Sequence, residues 1–114
     1  MTKRNYIMYL EDIIDCMGKI EQYVGELSYQ DFVKNSLVSD AVIRNLEVIG
    51  EASKSIPNEI ISYYPDVSWK SMIGLRNILI HEYFGVDSEI VWEIIKRDLP
   101  RTKPLILQML RELK

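Results

Sequence analysis

An all-α fold, an antiparallel bundle of four to five helices, is predicted for this chain by three observations. Apolar residues recur at three- and four-residue steps over long stretches. No segment alternates convincingly at period two. Prolines and glycines are few, four and five among 114 residues, which argues against a turn-rich β-sandwich. Hydrophobic residues make up 47% and charged residues 27%, so a packed core is expected rather than disorder. The length suits one domain over residues 1–114.

The first helix is predicted from about Lys3 to Leu27. Tyr6, Ile7, Leu10, Ile13, Ile14, Met17, Ile20, Val24 and Leu27 make one apolar stripe along it. Gly25 lies near its end, and Ser28 is placed to cap the next helix. A second helical region spans about Tyr29 to Ile56 and is expected to break near Asn35-Ser36. Its later part carries Val38, Val42, Leu46, Ile49 and Ala52 on one side, and Pro57 stops it. Asn58 is a candidate cap for a short helix through Tyr63, closed by Pro65. Ser68 is the N-cap expected for a helix from Trp69 to about Phe84, ended by Gly85. Asp87-Ser88 opens a helix from Glu89 to Leu99 with Ile90, Val91, Ile94 and Ile95 facing inward. Pro100 marks a bend, and Pro104 suits the opening turn of a last helix reaching Leu110. Short connections predict that consecutive helices pack antiparallel.

Composition excludes several classes of function. Cys16 is the single cysteine, so no internal disulfide forms, and a reducing cytoplasm is the expected location. Its neighbours Ile13, Ile14 and Met17 make it a small core residue rather than a nucleophile. Glu11, Asp12 and Asp15 interrupt the N-terminal region too soon for a signal peptide, and no apolar run is long enough to span a membrane. The net charge of −3 is not the global signature of a nucleic-acid binder, and no DNA partner is expected. Any RNA contact has to use a local basic patch. Lys96, Arg97, Arg101 and Lys103, joined by Arg111 and Lys114, are one candidate; the plainer reading is a solvated helix surface. One histidine and one cysteine far apart in sequence are no zinc signature, and no metal or other cofactor is expected.

The stretch Arg76-Asn77-Ile78-Leu79-Ile80-His81-Glu82-Tyr83 concentrates the candidate chemistry. It holds the only histidine. An arginine, an amide, an imidazole and a phenol in an otherwise apolar helix need partners when buried. Arginine offers a permanent cation with a planar fork suited to phosphate. Histidine is suited to proton transfer near neutral pH. The pair is enough to hold and break a phosphodiester without metal. On a regular helix Arg76 and Tyr83, seven apart, are stacked, whereas His81 is turned from Arg76 by roughly 140°. Two arrangements bring them together: a helix that loosens near Gly85, or two copies facing each other across a two-fold axis. The second is favoured because two-fold dimers are the commonest oligomers. Taken singly, each residue has a plain structural role: His81 a satisfied histidine, Arg76 an ion pair with Glu47 or Glu51, Tyr83 a core aromatic.

The segment from Trp69 through Asp87 resembles the signature of the HepT-type HEPN proteins. These are small helical toxins paired with a nucleotidyltransferase antitoxin of the MNT type. Arg76, Asn77, His81 and Tyr83 match the family pattern position by position. Further resemblance lies in Arg44-Asn45-Leu46-Glu47-Val48-Ile49-Gly50-Glu51-Ala52, in Val91-Trp92 and in Asp98-Leu99-Pro100. The resemblance implies a homodimer whose two motifs meet in one cleft and a metal-independent endoribonuclease. Arg76 and His81 would be central and Asn77 would assist. It also implies an antitoxin that uses ATP as donor to transfer AMP to Tyr83. An adenylylated tyrosine would place bulk and negative charge where RNA phosphate must bind. Glu47 and Glu51, one turn apart on a helical face, either support Arg76 or His81, contact the partner, or are ordinary carboxylates. Trp69 and Trp92 are assigned to packing. Two other readings remain: a non-catalytic accessory or substrate subunit of a nucleotidyltransferase, and a purely structural helical dimer.

Overall fold

In the computed structural model, which describes residues 3–77 and 87–114, the first helix, α1, covers Lys3–Val24. Gly25 stops it. Its φ of +49° is left-handed, and its N–H donates to the Glu21 carbonyl at 2.9 Å. The helix ends sooner than the expected Leu27 because a left-handed residue cannot continue a right-handed helix.

The break expected near Asn35-Ser36 is present and separates α2, Tyr29–Lys34, from α3, Ser36–Lys54. Asn35 serves both helices. Its N–H donates to the Phe32 carbonyl at 3.2 Å, and its Oδ1 accepts from the Val38 N–H at 3.1 Å. Ser28 caps α2 as predicted, accepting from the Asp31 N–H at 3.1 Å. In α4, Asn58–Ser62, the cap position falls on Pro57 rather than Asn58. The extended Pro57 already presents its carbonyl to the Ile60 and Ile61 N–H groups, which puts Asn58 in the first turn.

Helix α5 covers Trp69–Gly74; Ser68 holds its N-cap position but makes no capping bond with its side chain. The α-helical part closes at Leu75 and Arg76, whose N–H groups reach back only three residues, to Met72 and Ile73 at 3.2 and 3.4 Å. The remainder of the helix expected to reach Phe84 falls in residues 78–86, outside the described residues.

Helix α6, Ser88–Glu93, is capped by Asp87, whose Oδ1 accepts from the Glu89 N–H at 2.9 Å. It passes through a π-helical turn, Ile94–Asp98, into α7, Leu99–Leu113. The bend expected at Pro100 and the fresh start expected at Pro104 are replaced by one continuous helical run in which Pro104 is internal. The wide turn just before Pro100, closed by Leu99 N–H to the Ile94 carbonyl, makes room for a ring that a regular α-turn would bring against a carbonyl. Both prolines are exposed, so the carbonyls they cannot bond lie on the water side.

The core is formed where α1 lies against α3 and α7. Leu10, Ile13, Met17 and Ile20 of α1 meet Val42, Leu46 and Ile49 of α3 and Ile106 and Met109 of α7, all fully buried. The main neighbour of α1 is α3 rather than the next helix in sequence, because the six-residue α2 is too short to cover it. Leu46→Ala should cost about 2–5 kcal/mol, read as a lower denaturant midpoint at unchanged slope. Ile90 departs from its expected inward position and is 56% exposed, whereas Val91, Ile94 and Ile95 are buried. Trp92 packs under α2, with its ring centroid 5.2 Å from Phe32 and 5.9 Å from Tyr29. Trp69 is buried, and its indole N–H donates to the Tyr64 carbonyl at 3.0 Å. Cys16 is a buried thiol whose pKa is raised, first by burial, in keeping with packing rather than reactivity. No helix among the described residues is long and apolar enough to cross a membrane.

Candidate functional site

Two elements position Arg76: the short turn that ends α5 and the second half of α3. At Gly50 the two backbones come closer than side chains permit. A Cβ on residue 50 would lie 2.5 Å from the Arg76 amide nitrogen and 3.0 Å from the Arg76 Cβ. Only a hydrogen fits there, so this glycine sets how near α5 approaches α3. The next residue, Glu51, then takes the guanidinium: Arg76 Nε lies 3.0 Å from Glu51 Oε1. The backbone contact and the ion pair together fix where the arginine leaves the fold and which way its fork turns. The side chain remains 32% exposed, so its charge is available to an anion from solvent.

Glu47 is not part of this arrangement. One turn before Glu51, it accepts from Arg44 Nη1 at 2.9 Å along its own helix. Of the two carboxylates expected to support the arginine, the structure joins only Glu51 to it. Asn77 directly follows Arg76 and is exposed. His81 and Tyr83 lie outside the described residues. The tight turn at Leu75 and Arg76 precedes this stretch, and the expected angle between Arg76 and His81 falls outside the described residues.

Gly50 is the residue that sequence reasoning passed over. It stands in the Arg44–Ala52 block, but no role followed from it. The available signal was a lone glycine inside an otherwise helical pattern, which often marks a close backbone approach. Because both ends of the Arg76–Glu51 pair are partly exposed, Glu51→Gln is expected to shift stability by less than about 1 kcal/mol in a denaturant titration.

The basic run separates into committed and uncommitted members. Lys103 Nζ reaches Glu21 at 2.9 Å, and Lys114 Nζ reaches Glu11 at 2.9 Å. Lys96 Nζ sits 4.8 Å from the Trp92 ring centre. Arg97 bonds Asp98 at 3.1 Å and Glu93 at 3.4 Å, and the Asp98 carboxylate raises its pKa further. Lys103 and Lys114 thus tie α7 to α1, and Lys96 and Arg97 are engaged locally, so the run does not form one continuous cationic face.

The chain is similar to proteins of one family. Residues 13–109 match the family model described as HepT-like, Ribonuclease HepT-like. A candidate RNase of Methanocaldococcus jannaschii is 44% identical over 103 residues, covering 90% of this chain and 94% of its own. A probable ribonuclease HepT of Thermococcus cleftensis is 44% identical over 101 residues, covering 89% and 92%. A candidate RNase of Caldanaerobacter subterraneus is 41% identical over 105 residues, covering 91% and 93%. No solved structure matches this chain at a significant level.

Proposed function

The chain belongs to the HepT-like ribonuclease family, and from that premise we propose that it is a metal-independent endoribonuclease toxin acting on RNA as a homodimer. The observation that carries the reading is the seating of Arg76. A partly exposed guanidinium is fixed by Gly50 and Glu51 immediately before Asn77, which stands four residues ahead of His81.

The chemistry comes from these groups. The 2′-hydroxyl of a nucleotide attacks its own 3′-phosphorus. The bond to the 5′-oxygen of the next nucleotide breaks. One imidazole removes the proton from the attacking hydroxyl, and the leaving oxygen takes up a proton from a protonated imidazole. A dimer that brings both His81 side chains to one cleft supplies the base and the acid together. Arg76 holds the phosphoryl oxygens as negative charge builds on them, and Asn77 orients the phosphate. The products are a 2′,3′-cyclic phosphate and a free 5′-hydroxyl. No cofactor of the chain's own enters the scheme.

Control falls to a cognate MNT-type nucleotidyltransferase antitoxin. It transfers AMP from ATP to the Tyr83 phenol oxygen and releases pyrophosphate. The added phosphate beside Arg76 would compete with RNA for the same cation. Purified protein freed of AMP should cut RNA in excess EDTA and leave cyclic-phosphate ends. RNA left intact under these conditions overturns the reading. In that case the net charge of −3 favours the second reading, a non-catalytic substrate subunit of the nucleotidyltransferase. Glu51→Gln should lower kcat roughly ten- to a hundredfold through loss of arginine alignment, with stability nearly unchanged.

A further inference from the structure

Between α5 and the π-helical turn lies a cavity of about 310 Å³. Its polar lining comes from Ser68 and Ser71 on one side and from Arg97, Asp98, Arg101 and Thr102 on the other. Several of these groups are already committed. Arg97 and Asp98 neutralise each other at 3.1 Å, and the Thr102 hydroxyl donates to the Asp98 carbonyl at 2.8 Å. Among the described residues, no ion pair holds Arg101, and no hydrogen bond engages the side chains of Ser68 or Ser71. One uncommitted guanidinium therefore faces two uncommitted hydroxyls across an open space. Guanidinium and hydroxyl donors beside an Asp98 carboxylate that Arg97 already neutralises are what a phosphate diester needs.

Two further observations tie this cavity to the candidate site. Leu75 lines it, and the next residue in the chain is Arg76. The stripe of Ser68, Ser71, Met72 and Leu75 thus lines this cavity, while the turn after α5 carries the arginine. The cavity wall on the other side is the π-helical turn, a feature that often marks functional positions in helices. The volume exceeds that of a bare anion and admits a phosphate with its sugar.

We propose that this cavity is a subsite for the RNA backbone: it seats a phosphate neighbouring the one that is cut, with Arg101 as the charged contact and Ser68 and Ser71 as hydroxyl donors. The proposal rests on the RNA-cleavage reading above. Arg101 is a binding residue here and takes no part in proton transfer.

The test is binding of a labelled single-stranded 2′-O-methyl oligoribonucleotide, which lacks the attacking hydroxyl, measured by fluorescence anisotropy across a salt series. Arg101→Ala should weaken binding roughly three- to tenfold at low salt and reduce the slope of log K against log salt by about 0.7. Ser71→Asp, which adds a negative charge to the cavity wall, should weaken binding at least as much. Lys34→Ala, an exposed change on α2 outside the cavity lining, should leave affinity within twofold. Arg101→Ala binding like the parent, or Lys34→Ala losing as much as Arg101→Ala, overturns the subsite. A parent that binds in the expected Arg101-dependent way yet leaves unmodified RNA intact overturns the cleavage reading and keeps the subsite. A parent that binds no RNA at all overturns both.

Discussion

His81→Ala should lower the rate of RNA cleavage by roughly 10²- to 10⁴-fold, the range a positioned acid or base contributes. The chain has no second histidine to take over, and an alanine can neither accept the 2′-hydroxyl proton nor deliver one to the leaving oxygen. The measurement is cleavage of a defined oligoribonucleotide in excess EDTA, with far-UV circular dichroism and thermal melting run beside it. Two signatures separate proton transfer from collateral damage. Added imidazole should restore part of the lost rate in His81→Ala, because a small base can diffuse into the space left by the ring. Arg76→Ala should lose roughly 10²- to 10³-fold, as expected for a group that stabilises charge on the phosphoryl oxygens. Imidazole should not rescue it. Cleavage at parental rate in His81→Ala would remove the proposed chemistry.

Gly50→Ala is the second large effect, and here two opposing terms have to be weighed. Alanine in a helix interior is favoured over glycine by about 1 kcal/mol. At position 50, however, the new methyl group would lie 2.5 Å from the Arg76 amide nitrogen, a backbone atom that cannot rotate away. The turn after α5 must move outward, and overpacking of this kind costs about 1–3 kcal/mol. The clash should prevail, with a net loss of stability and a displaced arginine. Gly18→Ala supplies the matching control. A Cβ there meets nothing within 4 Å, so the helix preference should act alone and raise stability by about 0.5–1 kcal/mol. Chemical denaturation of both variants reads the two signs, and cleavage assays show whether activity falls with Gly50→Ala only. A stable, fully active Gly50→Ala would mean that the approach of α5 to α3 does not position the arginine.

The features legible in the chain share one property: they are local. The stripe from Leu10 to Val24, the caps at Ser28, Asn35 and Asp87, and the left-handed stop at Gly25 each depend on groups within a few residues of one another. Helix periodicity and capping chemistry are written at that range, so the all-α class and the break at Asn35 can be read directly. Ile90 faces outward against expectation because its phase depends on where Asp87 starts the helix and on which side α2 covers it. Pro100 does not interrupt the helix because the proline rule assumes a regular α-turn and the π-helical turn before it removes that premise, whereas Pro104 stands inside a regular helix on its exposed side.

By itself, then, the chain determined its helices, its apolar stripes and the short stretch in which arginine, amide, imidazole and phenol stand together. Tertiary structure alone decided that Glu51 and not Glu47 receives Arg76, that Gly50 is the point of contact between two helices, and that Arg101 faces Ser68 and Ser71 across one cavity. The reason is geometric. Spacing along one helix fixes which side chains share a face, but the meeting of faces on different helices depends on the distance and rotation at which they pack, and those result from the sum of many core contacts.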